Sequence, residues 1–340
     1  MRCWEIGPRG GIDSLRLSER PDPAPGPGEV AVRVSAAGLN YRDLMVLAGQ
    51  YGSALPDTRI PLSDGVGTVV KLGSGVAGPS IGQRVIAPNF TGWNDGPFGM
   101  ALFGHDLGVT ADGWLADHIL LPAESLSAVP DTVSDATAAT LAVVGGTVWH
   151  ALVAFGQAGP GKLVLAQGTG GVSLFALQLA RALGAEFAIT SSSAAKLERC
   201  CELGADYAID YWTRPDWAAA LLEATGGRGA DVVVDTLGFP ALGETVAACA
   251  VEARIATLGA LSGSLAAHAS VSQGAIIGKN LTIKGIASGS RAMLAAALDV
   301  VAKHGIEMVV DRKFAFDDTP AAYRHLQTGA HVGKMLIEVA

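Results

Sequence analysis

From Glu29 to Asn40 the run EVAVRVSAAGLN alternates apolar and polar positions, the period of a half-buried strand. DGVGTVVKLGSGV from Asp64, IGQRVIAPN from Ile81 and GWLADHILLP from Gly113 predict further short strands. Turn residues separate them: Pro-Gly-Pro-Gly at 25–28, Gly-Ser-Gly at 73–75 and Gly-Trp-Asn-Asp-Gly at 92–96. Several short strands at close intervals predict a compact, barrel-like β domain.

From about Asp135 the pattern changes to Ala-rich helical segments and then to a βαβ rhythm. KLVLAQ is a continuous apolar run, as in a strand buried on both faces of a parallel sheet. GVSLFALQLARALG is apolar nearly all round and stops at Gly184. EFAIT, DYAIDY, DVVVDTLG and RIATLGALSG supply later strands, and AAKLERCCELG a helix closed by Gly204. After Leu281 the order is mixed: strand LTIKGI, helix RAMLAAALDVVAKHG, helix DDTPAAYRHLQTG with Pro in its first turn, and a last strand KMLIEV. The fold class is therefore α/β, with a β-rich domain and a parallel-sheet domain. No internal repeat or heptad run is present. No uninterrupted apolar stretch reaches membrane-spanning length, since Gly, Gln, Arg or Asp breaks each candidate.

The 340 residues are 49% hydrophobic and 16% charged, which suits a large packed core and excludes a disordered chain. A net charge of -8 without a basic run argues against nucleic acid and anionic membranes as partners. The N-terminal MRCWEIGPRGG has no apolar signal-peptide core. Cys3, Cys200, Cys201 and Cys249 form neither a disulfide framework nor a zinc cluster. A cytoplasmic location is expected.

The stretch QGTGGVS carries the candidate chemistry. Gly168 and Gly170 are the first two glycines of G-x-G-x-x-G, between a buried strand and a helix, the context a dinucleotide pyrophosphate requires. Thr169, Gly171 and Val172 complete the turn, and Ser173 takes the third glycine's place. Its hydroxyl is free, on sequence alone, to face a phosphate. At the end of the second strand a carboxylate is expected for NAD(H). The sequence has Thr190-Ser191-Ser192-Ser193 and then Lys196, hydroxyls and a cation suited to the 2′-phosphate of NADP(H). The alternative is that Ser192 or Ser193 caps the helix and Lys196 is a solvated charge.

With AAGLNYRDLMVLAGQY, PLSDGVGTVVKLGSGV, LAVVGGTVWHAL, QGTGGVSLFALQLARALGA, SSSAAKLERCCELGADYAIDY, GGRGADVVVDTLG and HVGKMLIEV in this order, the chain resembles the medium-chain dehydrogenase/reductase superfamily, in its zinc-free, quinone-oxidoreductase-like branch. The resemblance implies a GroES-like catalytic domain from both chain ends (1–125 and 300–340) around a Rossmann cofactor domain (126–299). It implies that Thr147 and Gly259-Ala260-Leu261 lie near the nicotinamide. It also implies that Tyr211 flanks the adenosine phosphate beside Lys196, and that Gly333-Lys334 returns to the cleft. The edge strand in NLTIKGI implies a homodimer. Zinc-containing relatives keep ligands where this chain has Leu39-Asn40-Tyr41, Ser63-Asp64 and Val143. The seven histidines are scattered singly, so no metal is expected.

A nicotinamide moves a hydride, and the oxygen of the acceptor then needs a donor. Candidate donors are Asn40, Tyr41 and Tyr51. The competing readings make Tyr41 a core aromatic, Asn40 a turn brace, and Arg42-Asp43 a structural ion pair. Trp93, Trp114 and Trp149 line the cleft or pack in the core. The leading expectation is an NADPH-dependent reductase of a small-molecule quinone, enone or related carbonyl. The alternatives are an alcohol or aldehyde dehydrogenase of the same superfamily and an NADPH-binding protein with little turnover.

Overall fold

The computed structural model describes residues 1–51, 55–259, 261 and 271–340. They divide into two compact units, Met1–Gly146 with Ser288–Ala340, and Thr147–Ala287. These divisions fall later and earlier than the sequence-based 125/126 and 299/300, and two helices account for the difference. Most of the helix Asp135–Trp149 packs in the first unit: a Cβ at Gly38 would lie 2.5 Å from the Ala139 carbonyl, so only a glycine strand position admits the helix this closely. Further along, Gly145 faces Leu294 and Gly146 faces Gly289, which brings the helix Arg291–His304 into the same unit.

The first unit is built on a seven-stranded sheet. Its order is Val310–Ala315, Lys334–Glu338, Glu29–Leu39, Asp64–Leu72, Arg84–Ile86 and Ser127–Ala128, with His118–Pro122 also paired to Glu29–Leu39. Only the first pair is parallel. Glu29–Leu39 is central: Asp64–Leu72 lies along one edge, and His118–Pro122 and Lys334–Glu338 share the other. The alternation expected of a half-buried strand is therefore overridden, and most of its residues are buried. Trp93 and Trp114 are core residues, 3% and 0% exposed.

The second unit carries six parallel strands in the order Tyr207–Asp210, Glu186–Ser191, Leu163–Gln167, Ala230–Asp235, Cys249–Thr257 and Thr282–Gly285. The chain starts in the middle, works outward to one edge, and returns to build the other side. That order is the doubly wound Rossmann arrangement, and its reversal lies between Leu163–Gln167 and Ala230–Asp235. The first strand is buried along its whole length, as its unbroken apolar run predicts.

One sequence expectation is corrected. The helical stretch Asp135–Phe155 has the length and hydropathy of a membrane span, because Gly145 and Gly146 do not interrupt it. Of its most apolar window, 78% is buried inside the protein, so core packing accounts for its apolarity.

Candidate active site

In the first unit, strand register brings three distant segments to one point. Met335 pairs with Leu39 and Leu336 with Gly38, so Lys334, the first residue of its strand, stands beside Asn40. Gly38 in turn pairs with Asp64. The Lys334 ammonium donates to Asp64 Oδ2 at 2.7 Å and to Asn40 Oδ1 at 2.6 Å. Asn40 Nδ2 donates to Asp64 Oδ2 at 2.9 Å. The Val143 N–H, from the helix that Gly38 admits, donates to Asp64 Oδ1 at 2.6 Å. Lys334 and Asp64 are 3% and 0% exposed. Burial of two opposite charges this deep is tolerable only because each is also hydrogen-bonded.

Asn40 is the N-cap of the short helix Tyr41–Leu47. Asp43, one turn in, accepts the Asn40 backbone N–H at 2.7 Å, the return arm of a capping box. Burial pushes the Asp43 carboxyl up to about 7, against the opposing pull of Arg42, the Asn40 N–H and Lys334. The ion pair expected between Arg42 and Asp43 does not form. Successive helix residues project about 100° apart, and Arg42 turns to Asp106 at 2.6 Å instead. Asp106 also accepts from Asn89 Nδ2 at 2.9 Å, and Asn89 Oδ1 accepts from Ser288 Oγ at 2.6 Å. Burial works to lower the Arg42 pKa, but the Asp106 carboxylate overrides it and holds the guanidinium charged. That guanidinium lies over the Tyr51 ring, 4.6 Å from its centroid, a cation–π contact. Burial raises the Tyr51 phenol, while Arg42 opposes the rise. Tyr41 stands apart, 49% exposed.

In the second unit, Gly168 takes φ +76, the left-handed region, and a Cβ at Gly168 or Gly170 would meet nothing within 4 Å. The backbone here is open to close approach. Gly170 is the N-cap of the helix Gly171–Ala182, whose first N–H groups include those of Gly171 and Val172, and Thr169, within the turn, is buried. These features fit a dinucleotide pyrophosphate. Ser173 does not face outward. Its hydroxyl donates to the Gln167 carbonyl at 2.8 Å, as does that of Thr236, also at 2.8 Å.

The C-terminal ends of the next strands gather the other expected residues. Ser193, not Ser192, caps the helix Ala194–Glu202. Ser192 is exposed and Lys196 half-buried in that helix's first turn. The Tyr211 N–H bonds to the Ser191 carbonyl at 3.0 Å, so Ser192, Lys196 and Tyr211 share one edge. Gly259 and Leu261 follow Cys249–Thr257, and the Leu261 N–H bonds to the Thr236 carbonyl at 3.1 Å. Thr147 is buried in its helix, with Trp149 half-buried nearby, and Ala260 lies outside the described residues.

The positions matched to zinc ligands do converge, but on an amide, one carboxylate and a main-chain N–H around an ammonium. Ser63 is spent on the Leu107 carbonyl at 2.8 Å. Such a set repels a divalent cation. Among the described residues no three His, Cys, Asp or Glu side chains are placed to hold a metal.

Comparison with known proteins agrees with this geometry. Residues 26–131 match the alcohol dehydrogenase GroES-like domain and residues 171–317 the zinc-binding dehydrogenase family. A zinc-type alcohol dehydrogenase-like protein of Schizosaccharomyces pombe is 38% identical over 97% of this chain and 96% of its own. An acryloyl-coenzyme A reductase of Sulfurisphaera tokodaii is 30% identical over 98% of each chain. Among solved structures, an NAD-dependent alcohol dehydrogenase superposes with TM-score 0.90 at 32% identity over 100% of both chains. A mycobacterial quinone oxidoreductase gives 0.81 at 27%, and a mycobacterial protein complexed with NADPH 0.82 at 28%, both over 100% of each chain. The chain belongs to the medium-chain dehydrogenase/reductase superfamily, in its quinone-oxidoreductase-like branch. It is an oxidoreductase of that family, built from a GroES-like domain and a Rossmann domain.

Asp43 makes stability depend on pH. Its folded-state pKa is raised, so the native protein keeps a proton that the unfolded chain releases near pH 4. This contribution is present below about pH 4 and is lost as pH rises toward 7, at about 1.4 kcal/mol per pH unit. Urea unfolding at pH 5 and pH 7 is expected to show a wild-type loss that Asp43→Asn lacks. Equal pH dependence in both proteins removes Asp43 as its source.

Proposed function

We propose that the protein is an NADPH-dependent reductase that moves a hydride to a quinone, an enone or a related conjugated carbonyl compound and uses no metal. The observation that carries this reading is the buried cluster of Asn40, Asp64 and Lys334, in which Asn40 and Asp64 stand at positions matched to the ligands of zinc-containing relatives and Lys334 brings an ammonium between them. When bound, the nicotinamide supplies the hydride. As the acceptor takes it, negative charge moves to the conjugated oxygen, which needs a fixed donor. Asn40 has a second Nδ2–H beyond the one given to Asp64, and it serves that oxygen without changing protonation. The Tyr41 hydroxyl, exposed and unbonded to the described protein, is the candidate proton donor, with Tyr51 beside Arg42 the second. A relative named for reducing acryloyl-coenzyme A, whose C=C is conjugated to a carbonyl, supports this acceptor class.

The residues that would hold the cofactor are Gly168 to Val172 at the pyrophosphate, Ser192, Lys196 and Tyr211 at the adenosine phosphate, and Thr147, Gly259 and Leu261 toward the nicotinamide. Preference for NADPH rests on the hydroxyls and the lysine after Glu186–Ser191, where a carboxylate for NAD(H) is missing. The reactants are small molecules, and a homodimer is proposed. Thr282–Gly285 is the edge strand of its sheet, with Ile277 close by in sequence and 67% exposed. An edge of this kind invites pairing with a second copy.

Three measurements test the reading. In a panel of quinones, enones, aldehydes and alcohols followed by NADPH absorbance, quinones or enones are expected to turn over fastest. Activity confined to alcohols overturns this. Lys196→Ala is expected to weaken NADPH about tenfold, the worth of one charge-assisted phosphate contact, and to leave NADH unchanged; equal wild-type affinity for both cofactors defeats the NADPH assignment. Light scattering at micromolar concentration is expected to give twice the mass of one chain, and a monomer would refute the dimer.

A further inference from the structure

We infer that Lys334 and Asp64 are positioning residues that lock and polarise the Asn40 side-chain amide, leaving one of its N–H groups as a pre-aimed donor. The inference rests on the reductase reading for what the donor serves, but the lock itself stands on geometry. An ammonium only donates and a carboxylate only accepts. The Lys334 contact therefore fixes which end of the amide is oxygen, and the Asp64 contact fixes which end is nitrogen. A flipped amide would set N–H against ammonium and C=O against carboxylate, two repulsions in place of two charge-assisted bonds.

The same contacts strengthen the donor. A cation at Oδ1 draws electron density from Nδ2 through the amide, and bonds in such a chain reinforce one another. Water does not screen the effect, since Lys334 and Asp64 are almost wholly buried. Asp64 does not swing away, because the Val143 N–H holds its other oxygen. It occupies one Nδ2–H and leaves the second. Lys334 and Asp64 cancel in net charge, so the cluster supplies direction and polarisation without drawing ions in. Substitution of Lys334 is therefore expected to act on turnover more than on binding.

The test combines a spectroscopic and a kinetic arm on the full chain. With asparagine selectively 15N-labelled, the Asn40 side-chain signals are assigned by their loss in Asn40→Ser. In wild type the two protons are expected to be well separated and slow to exchange with water. In Lys334→Met both are expected to move upfield and their separation to shrink, with backbone amides unchanged. In the same variant kcat is expected to fall roughly 10- to 100-fold, with acceptor KM and NADPH affinity within about twofold, and Lys334→Arg is expected to restore much of the turnover. Unchanged Asn40 signals in Lys334→Met overturn the inference. Weakened NADPH binding with unchanged Asn40 signals assigns Lys334 to the cofactor instead. If Lys334→Met does not fold, the Lys334→Met, Asp64→Asn double variant removes both charges together, and retention of the wild-type Asn40 separation there also overturns it. Failure of the wild type to reduce any acceptor sinks the reductase reading alone, because the spectroscopic arm still decides the lock.

Discussion

Lys334 and Asp64 form an ion pair with almost no access to water, 3% and 0% by side chain. Removing either partner would leave an unpaired buried charge, among the costlier defects a fold can carry. The surroundings are consequently arranged to satisfy both. Lys334 is met by the Asn40 carbonyl, and Asp64 by the Asn40 amide and the Val143 N–H. The last of these needs the helix Asp135–Trp149 close to the sheet, which Gly38 permits by having no side chain. A glycine, a helix and three strand ends thus answer one electrostatic requirement.

The helix Tyr41–Leu47 divides the remaining chemistry between its sides. Asp43 turns inward and is pushed toward neutrality by burial, against the weaker pull of Arg42 and Lys334. Arg42, its neighbour, reaches Asp106 and covers Tyr51. Asp106 is in turn held by Asn89, and Asn89 by Ser288. The cap residue Asn40 therefore sits on a support braced twice, once through carboxylates and once through the sheet. Rigid support of this kind is what a pre-aimed donor requires.

In the second unit the departure from three glycines has a structural resolution. Ser173 is buried, and its hydroxyl closes on the Gln167 carbonyl at the end of the first strand. Thr236 closes on the same carbonyl from the neighbouring strand end. The close helix–strand packing usually left to a third glycine is obtained with a hydrogen bond. Gly168 and Gly170 keep the open backbone that a phosphate group needs.

Short-range pattern made much of this legible. The unbroken apolar run at Leu163–Gln167, the helices ending before Gly184 and Gly204, and the Pro-led helix near Thr319 follow from periods and stop signals a few residues long. The glycine turn and the hydroxyl-rich strand end were readable for the same reason. Tertiary structure decided what depends on neighbours far away in the chain. Lys334 and Asn40 are 294 residues apart, and only the pairing of Met335 with Leu39 makes them adjacent. Arg42 found Asp106 rather than Asp43 because a helix turns adjacent side chains apart. Ala-rich sequence favours the helix Asp135–Trp149, and at Gly145 and Gly146, its residues of weakest helix preference, Leu294 and Gly289 pack against it. Local sequence sets backbone preference; which charges are buried together is set by strand register and packing, and no window of a few residues contains either.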